Sequence, residues 1–183
     1  MNNRLGKIAI ALVAFVLSFA LFFALQTERS DASLDSQAEA AIPLEVALEN
    51  GKPSLMEFYA TWCTSCQVMA GDLQALKGEY GDAVNFVMLN VDNNKWLPEI
   101  FRYRVDGIPH FVYLDRQGET VGESLGEQPR SILEADLQAL IADVTLPYAH
   151  TTGKVSQFDA QIKPNATPED PRSHGSQVQE TER

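Results

Sequence analysis

The chain has 183 residues, with 25 acidic side chains against 14 basic ones and a formal net charge of −11 at neutral pH. That length leaves room for one domain with a modest core, and the acidity argues against nucleic acid or anionic lipid as a partner. A zinc site on the two cysteines would need two of His110, His150 and His174, and the last two fall in a polar tail, so no metal is expected.

The first 25 residues hold the strongest hydropathy signal. Residues 8–25 carry no charge and only one polar side chain, Ser18. As a helix they would be about 27 Å long, close to the thickness of a hydrocarbon core. Arg4 and Lys7 precede the run, whereas Glu28, Arg29 and Asp31 follow it. The positive-inside bias therefore predicts a cytoplasmic N-terminus, with everything after residue 26 on the other side. A cleaved signal peptide is the rival reading. Its apolar region is normally shorter, and Ala24-Leu25-Gln26 makes a poor cleavage site, which favours an uncleaved anchor.

Residues 1–29 are thus read as an anchor (membrane span 8–25), 30–41 as a polar linker, 42–146 as the folded domain and 147–183 as a polar tail. The acidity belongs to the domain, since residues 31–146 hold 19 acidic and 7 basic side chains.

Within the domain, Pro43 suits the first turn of a short helix, with Leu44, Ala47 and Leu48 on one face and Gly51-Lys52-Pro53 ending it. Residues 55–60 form a strand-like run. Then comes Trp62-Cys63-Thr64-Ser65-Cys66, opening a helix whose apolar residues Met69, Leu73, Leu76 and Tyr80 keep the spacing of one face.

A thiol at a helix N-terminus meets unpaired N–H groups and the positive end of the dipole, both of which favour the thiolate. Residues i and i+3 share a face, so the second sulfur can attack a mixed disulfide formed by the first. Cys63, expected at the exposed start of the turn, is the candidate nucleophile; Cys66, further in, is the candidate resolving thiol. A structural disulfide or half of a zinc site are the alternative uses of such a pair.

Residues 84–91 read as a second strand buried on both faces, 96–103 as a short helix, and 110–114 and 119–124 as a hairpin around Asp115-Arg116-Gln117-Gly118. Residues 129–142 form the last helix, with Leu133, Leu137, Leu140 and Ile141 inward. Alternation of this kind implies an α/β domain, a central mixed sheet flanked by helices, its first two strands parallel and its last two antiparallel. From Pro147 onward large apolar residues nearly vanish, so the tail is expected to be disordered.

Residues 42–146 resemble the thioredoxins. The likeness rests on Phe58-Tyr59-Ala60-Thr61-Trp62-Cys63-Thr64-Ser65-Cys66, on Leu89-Asn90-Val91-Asp92, and on Gly107-Ile108-Pro109 followed by Gly118. It implies the thioredoxin fold and a cis Pro109 beside the active disulfide. It also implies that Ile108 offers its backbone to a substrate strand, with Trp62 and Pro109 as the remaining binding surface.

This chain departs from the common family pattern at several places. Thr64-Ser65 replaces Gly-Pro between the cysteines, Glu57 stands at the place of the buried aspartate, Met88 replaces a lysine that pairs with it, and Gly71 replaces a kink proline. A carboxyl buried without a cation has a raised pKa, which makes Glu57 a candidate relay for the Cys66 proton. His110 either tunes the site or fills the strand.

With its anchor, the chain resembles the thylakoid-anchored thioredoxin-like proteins of cyanobacteria and chloroplasts. That likeness implies a reductase in the thylakoid lumen or periplasm. Its substrates would be protein disulfides, those of apocytochromes among them, and a membrane thiol donor would supply it. No cofactor is implied beyond the redox-active Cys63–Cys66 pair. A client-binding assembly factor, or an oxidase or isomerase, are the other activities the same fold supports.

Overall fold

The computed structural model describes Lys7, residues 12–21 and residues 33–157. Most of the expected 8–25 span and everything after residue 157 lie outside the described residues. Residues 12–21 are helical with their apolar side chains exposed. Among the described residues no helix is long and apolar enough to cross a membrane.

The elements run α1 Leu34–Ala40, α2 Leu44–Glu49, β1 Ser54–Tyr59, α3 Thr64–Tyr80, β2 Asn85–Asn90, a 3-10 turn Asn94–Trp96, α4 Leu97–Arg102, β3 Gly107–Ile108, β4 His110–Leu114, β5 Thr120–Leu125, α5 Arg130–Ile141 and β6 Ser156–Gln157. The main sheet has the order β2-β1-β4-β5. β1 pairs parallel with β2 and antiparallel with β4, and β4 pairs antiparallel with β5.

Every residue of β1 and β4 is buried, because both faces of the sheet are covered. Alternate side chains separate into two cores, as the two-residue period of a strand requires. Leu55, Phe86, Phe111 and Tyr113 pack with Leu73, Leu76, Leu133 and Leu137 of α3 and α5. Met56, Phe58, Val87, Leu89, Val112 and Leu114 pack with Leu34, Leu44, Ile100 and both cysteines.

Two expectations need correction. The stretch read as a polar linker contains α1, capped by Ser33, whose hydroxyl accepts from the Ser36 amide at 3.2 Å. Leu34 and Gln37 are its buried residues; Gln37 docks by hydrogen bonding, its Nε2 donating to the Ala70 carbonyl at 2.8 Å.

The second concerns the tail, whose first part is ordered. Leu146 is buried in the core, the Tyr148 amide donates to Asp136 Oδ1 at 2.9 Å, and the His150 amide donates to the Glu123 carbonyl at 2.6 Å. The chain then runs along β5 and reaches β6, antiparallel to β3. β5 is otherwise an edge with unpaired backbone groups, and the tail satisfies them. Such pairing uses only backbone atoms, so a polar composition does not oppose it.

Candidate active site

Cys63 is the N-cap of α3, a helix of 17 residues, and its sulfur accepts from the Cys66 amide at 3.0 Å. That donor is one of the amides a helix leaves unpaired at its start, so the cysteine side chain here takes the place of a capping hydroxyl. The two cysteines form a disulfide, with their Cα atoms 5.2 Å apart. On reduction, the same amide and the N-terminal dipole of α3 favour the Cys63 thiolate.

Cys63 was expected to be exposed; instead both cysteines have 0% relative exposure. They sit in one apolar cluster with Phe58, Ala60 and Ile108. Trp62, by contrast, is 48% exposed. Its indole Nε1 donates to Asp92 Oδ2 at 2.9 Å, and the Asp92 amide donates to the Asn90 side chain at 2.9 Å. Asp92, quoted above only as part of a motif, is therefore the residue that orients Trp62.

The Ile108–Pro109 bond is cis, the geometry the resemblance implies. Ile108 is fully buried and pairs with Ser156 of β6. The backbone that the resemblance reserves for a substrate strand is thus engaged by the chain itself.

Glu57 lies on β1, opposite Met88 of β2 and Phe111 of β4. It is 3% exposed, and neither carboxylate oxygen has a hydrogen-bond partner among the described residues. Burial raises its pKa from 4.5 to about 7, opposed by the charge of Lys77. The carboxyl is therefore not without a cation, as Met88 had suggested. α3 supplies Lys77, whose ammonium donates to Gln37 Oε1 at 2.7 Å and to Met88 Sδ at 3.0 Å.

Burial lowers the Lys77 pKa, and Glu57 holds it up. One signal for this cation was present in the sequence: Lys77 stands four residues after Leu73, on the buried stripe of α3. His110 is buried, with Nε2 3.0 Å from Glu123 Oε2 and its ring edge-on to Phe58. These contacts join it to β5 through Glu123 and to the cysteines' cluster through Phe58.

The arrangement can accept two electrons as the disulfide and donate two as the dithiol. An N-capping sulfur is poised as nucleophile, a second sulfur one turn on can close the disulfide, and a carboxyl titrating near neutrality is buried in the adjoining strand.

The thioredoxin family model matches residues 39–139. The thiol:disulfide interchange protein TxlA homolog of Synechocystis sp. is 56% identical over 173 residues, which cover 94% of this chain and 96% of that protein. TxlA of Synechococcus elongatus is 50% identical over 179 residues, 97% of this chain and 94% of its own. The chloroplastic thioredoxin-like protein HCF164 of Arabidopsis thaliana is 41% identical over 167 residues, covering 91% of this chain but 63% of that longer protein.

Proposed function

The chain belongs to the thioredoxin family, and within it we propose a membrane-tethered reductant of protein disulfides outside the cytoplasm. Its chemistry is thiol–disulfide exchange. The observation that carries the reading is the Cys63–Cys66 disulfide at the N-terminus of α3, with Cys63 as the capping residue.

In the reductive half-cycle the Cys63 thiolate attacks a substrate disulfide. An S–S bond forms between Cys63 and the substrate, and the first substrate sulfur leaves as a thiolate. Cys66 then loses its proton, with Glu57 as the acceptor, and attacks the Cys63 sulfur. The second substrate thiolate leaves, the substrate has gained two electrons, and the Cys63–Cys66 disulfide is restored. A carboxyl titrating near 7 suits that transfer, because it gains and loses the proton at neutral pH. Trp62, Ile108 and Pro109 form the surface that positions the substrate chain.

Membrane attachment through residues 8–25 is supported by their uncharged sequence and by the exposed apolar side chains of residues 12–21. That orientation puts the domain in the thylakoid lumen or the periplasm, where a dithiol needs an electron supply across the membrane, hence a membrane thiol donor. Apocytochromes whose haem-site cysteines have paired as disulfides are the client class we favour, on the resemblance to thylakoid-anchored thioredoxin-like proteins drawn above.

Insulin reduction by the parent, Cys63→Ser and Cys66→Ser proteins tests the chemistry: equal rates in all three would sink it. Cys66→Ser should accumulate mixed disulfides with clients. If Cys63→Ser accumulates them instead, the two roles are reversed.

A further inference from the structure

The tail crosses the molecule from the end of β5 to the strand that leads into cis Pro109. The Leu125 amide donates to the Thr151 carbonyl at 3.0 Å, the Gly153 amide to the Leu125 carbonyl at 2.7 Å, and the Glu127 amide to the Lys154 carbonyl at 2.8 Å. Two residues later Ser156 pairs with Ile108. The segment therefore bridges the end of β5 and the strand that leads into cis Pro109. Val155, between the two attachment points, lies against Gly107.

Two glycines make the crossing possible. A Cβ at Gly126 would stand 2.7 Å from the Gly153 carbonyl carbon and from the Lys154 oxygen, and one at Gly153 would run into the Glu127 backbone.

Three facts bear on what the segment does. Ile108, which it pairs with, shares the buried cluster of Cys63. Cys63 itself has no exposed surface, although thiol exchange with a protein requires contact between sulfurs. Finally, no residue from 151 to 157 is fully buried. The segment is held chiefly by backbone hydrogen bonds and has little apolar anchorage, which places it among the parts of a fold that open first. Leu146, upstream, is buried and fixes its root.

We propose that residues 151–157 are an autoinhibitory strap: they occupy the backbone edge at Gly107–Ile108, and a client strand must lift them before Cys63 can react. The strap and an extended client compete for the same backbone groups of Ile108, so only one can be seated at a time. The competition with a client and its consequence for turnover rest on the reading given above; the cover of the Gly107–Ile108 edge by residues 156–157 does not.

The full-length protein in detergent, reduced, allows the test, with Gly153→Val expelling the strap by its collision with Glu127. Two rates are followed: iodoacetamide alkylation of Cys63 and initial insulin reduction. Both are expected to rise about five- to tenfold in the variant, the tax of a mostly closed state being removed.

Unchanged or slower alkylation in a variant that still melts cooperatively overturns the strap. Should Gly153→Val fail to fold, Ser156→Pro, which removes an N–H from β6, replaces it with the same expected rise. Faster alkylation without any insulin reduction by either protein keeps the strap and defeats the reductase reading. Insulin reduction by the parent with alkylation equal in parent and variant does the reverse.

Discussion

The indole of Trp62 is tied to the carboxylate of Asp92 by a hydrogen bond of 2.9 Å, so the loop after β2 sets the orientation of the exposed residue next to Cys63. A single such bond contributes about 1 kcal/mol. Asp92→Ala should leave kcat for insulin reduction unchanged and raise KM about two- to tenfold. Asp92→Asn, which keeps an acceptor oxygen, should recover most of the loss. Steady-state kinetics on the three proteins checks both points.

Glu57 links stability to pH. Its folded pKa of about 7 lies above the ordinary 4.5, so between those values the folded state holds a proton that the unfolded state has released. Stability is therefore greatest below about pH 4.5 and falls as pH rises to about 7, by about 3 kcal/mol in all. Glu57→Gln should abolish that slope. Urea titrations at pH 5 and 8 measure it, and parallel slopes in parent and variant would contradict the assignment.

Lys77 acts on the same proton. Its positive charge lowers the Glu57 pKa, so Lys77→Met should push that carboxyl further up and shift the pH profile of mixed-disulfide resolution to higher pH. The variant also removes a hydrogen bond to Gln37, which costs about 1 kcal/mol of stability. Stopped-flow resolution rates from pH 5 to 9 separate the two effects, because a purely structural role would leave the profile in place.

Gly78 lies inside α3, and a Cβ there would meet nothing within 4 Å. Gly78→Ala should raise the unfolding free energy by about 0.5–1 kcal/mol through helix propensity. Insulin reduction should not change. Thermal melts and the activity assay together check this.

The elements that were legible in the sequence are those whose burial is apolar and periodic. Met69, Leu73 and Leu76 mark α3, and the Val- and Phe-rich run around Phe86 marks β2, because the period of the side chains follows the backbone geometry. The cysteine pair was legible for a different reason: its spacing and its place at the start of a helical run both stand in the sequence itself.

What escaped reading is held by hydrogen bonds that leave no hydropathy trace. α1 docks through Gln37 as well as Leu34, and residues 151–157 dock through backbone amides that any sequence possesses. Lys77 was missed as the partner of Glu57 because the two are twenty residues apart and meet only once α3 is laid on the sheet. The pairing of residues 156–157 with the strand before cis Pro109 joins positions about fifty residues apart, a relation no local window contains.

The docking of α1 also fixes a length. Ser33 is already its cap, so if residues 8–25 span a bilayer, as proposed above, the leash between span and domain is seven residues long, 26–32. Fully stretched, seven residues span about 25 Å. On the proposed anchoring, the domain would be kept within roughly its own diameter of the lipid surface, in a thin layer rather than the whole compartment. Clients would be met as they emerge from, or remain attached to, the same membrane, at an effective concentration set by the leash and not by their abundance in bulk.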